Sequence, residues 1–94
     1  MEQYKGKIAI LGSGNIGLSL AKGLVKANYV TPGQISLTRR NITSLDAFAV
    51  HGYHVSADNA AVVATADIIV LAVLPQQLNQ LLDQIRDVID VSRQ

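Results

Sequence analysis

The chain has no cysteine and no tryptophan, and only three tyrosines, one phenylalanine and two prolines in 94 residues. Without cysteine there is neither a disulfide framework nor a thiolate metal site. With so few aromatics, spread without interleaved basic residues, there is no stacking platform for nucleic-acid bases. Charged residues are also sparse, at 16% with a net charge of +1, too mild a balance for a nucleic-acid footprint. The longest apolar region, residues 60–74, is interrupted by Thr65 and Asp67 and is too short to span a bilayer. The N-terminal residues Met1 to Lys5 are polar, with no secretory leader visible. A cytoplasmic setting is the expectation.

What remains is bulk from Ala, Val, Leu and Ile, suited to strands buried on both faces. The length allows one small domain. Charge is divided unevenly: residues 1–47 carry six Lys/Arg against two Asp/Glu, and residues 48–94 two against five. A polyanionic small ligand near the first half fits this bias, as does ordinary surface charge.

The most informative stretch is Gly12-Ser13-Gly14-Asn15-Ile16-Gly17, between an apolar run at Lys7–Leu11 and a helical pattern starting near Asn15. In strand–turn–helix context this spacing signals a dinucleotide site. Gly12 allows the tight turn, Gly14 lets a pyrophosphate approach the backbone, and Gly17 lets the helix pack closely on the strand. The helix N-terminus then faces the anion. The periodicity predicts a first helix whose inner face carries Ile16, Leu20, Gly23, Leu24 and Ala27, with Asn28 capping its end, and a Thr31-Pro32-Gly33 loop.

A second strand is predicted over Gln34–Thr38. A helix follows after Asn41, with Leu45, Phe48 and Ala49 inward and Gly52 at its end. Tyr53-His54-Val55 reads as an edge strand, and Ser56 or Asp58 as the cap of a short helix over Asn59–Thr65. A fourth strand is expected over Asp67–Val73, then a last helix with Leu78, Leu81, Leu82, Ile85, Val88 and Ile89 on one face. Alternating strands and helices predict an open parallel sheet of Rossmann type, in the spatial order third, second, first, fourth. Residues 12–17, 38–41 and 72–75 should meet at the C-terminal ends of its strands. The chain ends where a further strand would begin. The expectation is therefore a domain truncated before its later strands, with an exposed sheet edge inviting homo-oligomers.

The end of the second strand selects the cofactor. A site for NAD places a carboxylate there, on the ribose 2′-hydroxyl. This chain has Thr38-Arg39-Arg40-Asn41, and paired guanidinium groups attract a 2′-phosphate through charge-assisted hydrogen bonds. NADP is favoured over NAD. His51 and His54 lack further ligands, so no metal site is expected. Ser13 lacks a nucleophile elbow, and Asp67 lies at the wrong end of its strand for catalysis.

Taken together, Ile8–Gly17, Arg39-Arg40-Asn41, Asn59-Ala60-Ala61-Val62-Val63 and Ala66–Gln76 resemble the N-terminal domain of pyrroline-5-carboxylate reductase. The likeness runs from Lys7 to about Ile89. It implies reduction of the cyclic imine 1-pyrroline-5-carboxylate to proline, the last step of proline biosynthesis, by hydride from the nicotinamide of NADPH. It further implies that Gly12, Ser13, Gly14, Asn15 and Ile16 hold the pyrophosphate. Thr38, Arg39 and Arg40 would hold the 2′-phosphate, Asn59 the adenosine ribose side, and Ala72, Val73 and Pro75 the nicotinamide pocket. Two departures stand out. Leu74 replaces the family's usual Lys, and the helical domain that makes the dimer and the substrate pocket is absent from residues 1–94. No catalytic residue is therefore assigned, and the chain alone is expected to be inactive. The same cofactor fold would also fit a 3-hydroxyacid reductase, a deazaflavin-linked NADP reductase, or a non-catalytic nucleotide-binding module.

Overall fold

A computed structural model describes residues 3–12, 14–39 and 45–88. It holds four parallel strands in one sheet: β1 (Ile8–Leu11), β2 (Ile35–Thr38), β3 (His54–Ser56) and β4 (Ile68–Leu71). Their order is β3-β2-β1-β4, as right-handed crossovers require. The register is tight at the centre, with Ile8 opposite Ile35 on one side and Ile68 on the other.

Four helices connect and follow the strands: α1 (Asn15–Lys26), α2 (Asp46–Val50), α3 (Asn59–Thr65) and α4 (Pro75–Ile85). β1 is buried along its whole length, and its side chains alternate between two cores because successive residues of a strand point to opposite faces. Ile8 and Ile10 join Ala21, Ile35, Leu37, Leu45 and Tyr53 under α1 and α2. Ala9 and Leu11 join Val63, Ala66, Leu81 and Ile85 under α3 and α4. The result is a three-layer sandwich with β1 at its centre.

Local chemistry explains the helix ends. Asp58 caps α3, its carboxylate accepting from the Ala61 N–H at 3.1 Å. Pro75 opens α4 at a position where a missing N–H costs nothing. The Gln77 side chain also accepts from the Leu74 N–H at 3.3 Å. Asn28 follows α1 in the left-handed conformation, φ +59°. There the Tyr29 N–H reaches back to the Leu24 carbonyl and the Asn28 N–H to that of Val25, a Schellman ending in which Asn replaces the commoner Gly. Asp67 is a turn residue: its carboxylate accepts from the Lys7 N–H at 2.9 Å and fixes the start of β4 against β1.

The structure corrects four expectations. The inner face of α1 is not that of Ile16 and Leu20, which are 85% and 38% exposed. It is Gly17, Ala21 and the partly buried Leu18, Leu24 and Val25, turned by about one residue because Gly17 and Ala21 let the helix lie closer to the sheet. Gln34 does not open the second strand, which starts at Ile35; it closes a 3-10 turn over Pro32–Gln34, its side chain accepting from the Thr31 N–H. In α2, Leu45 is buried ahead of the first helical turn and Ala49 is exposed. In α4 the helix stops at Ile85; Leu81 and Ile85 are buried, whereas Leu82 and Val88 face outward. Residues 41–44 and Ile89 lie outside the described residues.

Beyond β1, nothing among the described residues pairs with β4, and Ile68 and Leu71 on it are more than a third exposed. No described helix is long and apolar enough to cross a membrane.

Candidate functional site

The C-terminal ends of β1, β2 and β4 converge on Gly12. Its backbone is left-handed at φ +74°, and its N–H donates to the Thr38 hydroxyl at 3.1 Å. A Cβ on Gly12 would lie 2.2 Å from Val73 Cγ1 and 3.2 Å from the Ala72 carbonyl oxygen. The Ala72 N–H in turn donates to the Leu11 carbonyl at 2.9 Å. Gly12 is thus glycine for the fold's own reasons, both of conformation and of space.

Gly14 is different. It precedes α1 with extended backbone, open to any residue. Among the described residues, a Cβ there would meet only the Gly12 carbonyl oxygen, at 3.9 Å. Among the described residues, the protein's own packing does not call for glycine at this point. Above Gly14 stands the N-terminus of a helix of 12 residues, with no side-chain cap and no acidic residue in its first turn among the described residues. The Leu18 N–H makes the first helical bond, to the Gly14 carbonyl. The amides ahead of it and the positive end of the helix dipole point outward from the crest, the arrangement that receives phosphate groups.

The second wall is the end of β2. Arg39 is exposed, and its backbone N–H is held by the Ser56 carbonyl of β3 at 3.2 Å. Among the described residues its guanidinium makes no ion pair. Ser13 and Arg40 lie outside the described residues, as does the side chain of Asn15. Thr38 corrects an expectation. It is 1% exposed, and its hydroxyl donates to Asn59 Oδ1 while accepting from Gly12. It faces inward and holds the crest together rather than meeting a 2′-phosphate. Asn59, at the start of α3, is half-buried and also donates through Nδ2 to Gln84 Oε1 of α4 at 2.8 Å. Beside it an open hollow of ≈ 550 Å³ is lined by Ser56, Ala57, Asp58, Asn59, Ala60 and Gln84.

The third wall follows β4. Ala72 and Val73 are half-buried beside Gly12, and Pro75 is exposed at the head of α4. Leu74, in place of a cationic residue, is 58% exposed. The structure therefore brings Gly12, Gly14, Ile16, Thr38, Arg39, Asn59, Ala72, Val73 and Pro75 to one crest of the sheet. His51 and His54 are exposed, and no group of three or more metal-ligating side chains occurs among the described residues. Gln84 was not anticipated: one polar residue on an outer helix face carries no distinguishing mark in a sequence.

A parallel sheet with a glycine turn and a bare helix N-terminus at the switch between β1 and β4 defines the class of dinucleotide-binding α/β domains. Comparison with known proteins gives the family. Residues 7–93 match the family described as "NADP oxidoreductase coenzyme F420-dependent", and the chain belongs to it. It is 40% identical over 86 residues to pyrroline-5-carboxylate reductase 1 of Dictyostelium discoideum, covering 92% of this chain and 16% of that protein. It is 39% identical over 82 residues to the pyrroline-5-carboxylate reductase of Methanosarcina acetivorans, covering 86% of this chain and 30% of that one. Among solved structures, a pyrroline-5-carboxylate reductase from Coxiella burnetii superposes with a TM-score of 0.84 at 31% identity, over 93% of this chain and 32% of that one. The chain thus spans less than a third of the length of these relatives.

Proposed function

We propose that this chain is the NADP(H)-holding domain of a reductase acting on a C=N bond, of the type that converts 1-pyrroline-5-carboxylate to proline. The observation that carries the reading is Gly14: among the described residues, a glycine without a packing reason, set under a helix N-terminus that no side chain caps. The residues present fit a dinucleotide. The backbone from Gly12 to Ile16 would hold the pyrophosphate, Arg39 and Arg40 the 2′-phosphate, Asn59 the adenosine ribose side, and Ala72, Val73 and Pro75 would flank the nicotinamide. When bound, NADPH supplies the hydride. The protein's part is to bind it, keep its nicotinamide end beside β4, and exclude competing anions from the helix terminus. The imine's own site, and any acid that protonates its nitrogen, would lie on residues beyond these 94.

The similarity of curated relatives supports the imine substrate. The family's description favours a second reading, in which the acceptor or donor facing NADP is the deazaflavin coenzyme F420. We further propose assembly with a second copy through the open side of β4, where Ile68 and Leu71 present apolar side chains beside unpaired strand backbone. A cytoplasmic location suits the proposed chemistry.

Isothermal titration calorimetry with NADPH and NADH tests the cofactor reading. NADPH is expected to bind more tightly. Replacing both Arg39 and Arg40 with Ala should weaken NADPH by about 10- to 100-fold, the worth of about one hydrogen bond to a charged group, and leave NADH nearly unchanged. Equal affinity of the wild-type chain for the two nucleotides would defeat the arginine assignment.

A further inference from the structure

Thr38 and Gln84 have no part in the ligand contacts proposed above, yet the hydrogen bonds at the crest run through them. The chain starts at a fixed point. The Gly12 N–H is a donor, so the Thr38 oxygen accepts there and its own hydrogen must go elsewhere. At 1% exposure no bulk water reaches it, and Asn59 Oδ1 takes it at 2.5 Å. That choice turns the Asn59 NH₂ toward Gln84 Oε1. With the amide reversed, the Thr38 hydroxyl hydrogen would face an NH₂ group and have no acceptor among the described residues. The series therefore has a direction: Gly12 backbone, Thr38, Asn59, Gln84.

We propose that Thr38 and Gln84 are positioning residues for the dinucleotide, a reading that rests on the proposed cofactor function. Thr38 locks the glycine turn of β1 to the end of β2 and to the first residue of α3. Gln84 fixes the outer end by holding the Asn59 amide in one orientation. The groups that would meet the pyrophosphate and the adenosine ribose then belong to one rigid frame, so neither has to be ordered when the nucleotide arrives. The hollow beside Asn59 has Gln84 in its wall, which places the last member of the series where the adenosine half would lie.

The frame makes a different prediction from the arginines, because it serves the part common to both nucleotides. Thr38→Val keeps the shape and removes the hydroxyl. It should raise the hydrogen-exchange rate of the Gly12 amide, read by NMR on the ligand-free chain, by about tenfold. It should also weaken NADPH and NADH alike by about tenfold at a temperature where the variant is folded. Thr38→Ser should return both affinities to within about twofold of wild type. A Thr38→Val chain with a lower Tm but unchanged affinities would overturn the proposal and leave Thr38 a structural residue only. Should Thr38→Val fail to fold, Gln84→Ala decides. Gln84 is exposed, so folding should survive; the Asn59 side-chain amide signals should shift and both nucleotides weaken about threefold. Unchanged affinities there would refute the outer half of the series. A wild-type chain that binds neither nucleotide would sink the cofactor reading, and the positioning role with it. Binding that Thr38→Val and Gln84→Ala leave intact would sink the positioning role alone.

Discussion

Gly12 and Gly14 are two residues apart, and their substitution by alanine should fail in opposite ways. At Gly12 the left-handed φ of +74° costs an L-residue about 1–2 kcal/mol. The added methyl would also sit 2.2 Å from Val73 Cγ1, so Val73 must turn or the strand end must shift, at about 1–3 kcal/mol. Val73 is half-buried and has some room to turn, which favours the lower half of the combined range of about 2–5 kcal/mol. For a chain of this size 1 kcal/mol moves Tm by about 4–8 °C. Gly12→Ala should therefore lower Tm by about 8 °C or more.

At Gly14 two small effects oppose each other. Alanine is a poorer residue than glycine at a helix N-cap, by about 0.5–1 kcal/mol. It also restricts the unfolded chain, which stabilises by about 0.4–1 kcal/mol where the native backbone suits it, and the extended backbone at Gly14 does. The nearest atom to the new methyl is 3.9 Å away, an ordinary contact. The net change in Tm should stay within about 5 °C. The methyl would, however, stand where the pyrophosphate is proposed to lie. In differential scanning fluorimetry NADPH at about 100 times its Kd should stabilise the wild-type chain by about 2.7 kcal/mol. Gly14→Ala should lose most of that shift. If Gly14→Ala destabilised the ligand-free protein as much as Gly12→Ala, its glycine would have a packing role and the reading of the turn would be wrong. If it kept the full NADPH shift, the anion would bind elsewhere.

Three further outcomes follow from the same structure. Ala21 is completely buried between α1 and the sheet while Ile16 is 85% exposed, so Ala21→Leu should destabilise by about 1–3 kcal/mol and Ile16→Ala by less than about 0.5 kcal/mol; chemical denaturation reads both. Burial raises the pKa of the Tyr53 phenol, favouring its neutral form in the folded chain. Its contribution to stability should be complete below the ordinary tyrosine pKa of about 10 and decline as the pH rises through the folded value; Tyr53→Phe should remove that part of the alkaline loss in urea titrations run between neutral and strongly alkaline pH. Finally, if the open side of β4 pairs with a second copy, Ile68→Lys should shift sedimentation velocity profiles from dimer toward monomer, since an edge lysine blocks strand addition. A wild-type chain that sediments as a monomer at high concentration would end that proposal.

The strand order and the meeting of residues 12, 38 and 72–73 were legible because each rests on a rule with few exceptions. Alternating elements force a parallel sheet, crossovers are right-handed, and ligands gather at the C-terminal ends of strands. The role of Thr38 was not. At the end of a strand a threonine reads equally well as a ligand contact or as an internal bond, and only burial separates them. Gln84 was invisible for a related reason. Its partner, Asn59, is 25 residues away in sequence, and no local pattern links the two.

The inner face of α1 is the more instructive miss, because the information was present. The helix carries two apolar stripes, the expected Ile16–Leu20–Leu24–Ala27 and the observed Leu18–Ala21–Leu24–Val25, with Leu24 common to both. Periodicity favours whichever holds the larger side chains at its start, since it scores hydrophobicity and not distance. Yet the third glycine of the motif is there so that helix and strand can approach, and that requirement fixes Gly17 on the inner face. Residues four, seven and eight positions later must then share it. These are Ala21, Leu24 and Val25, the residues found buried or partly buried against the sheet. The motif that marks the ligand side of the turn thus also sets the rotation of the helix behind it. Ile16 is left beside the helix N-terminus on the outer side, so its side chain can change without disturbing the core while its backbone N–H remains available to an anion.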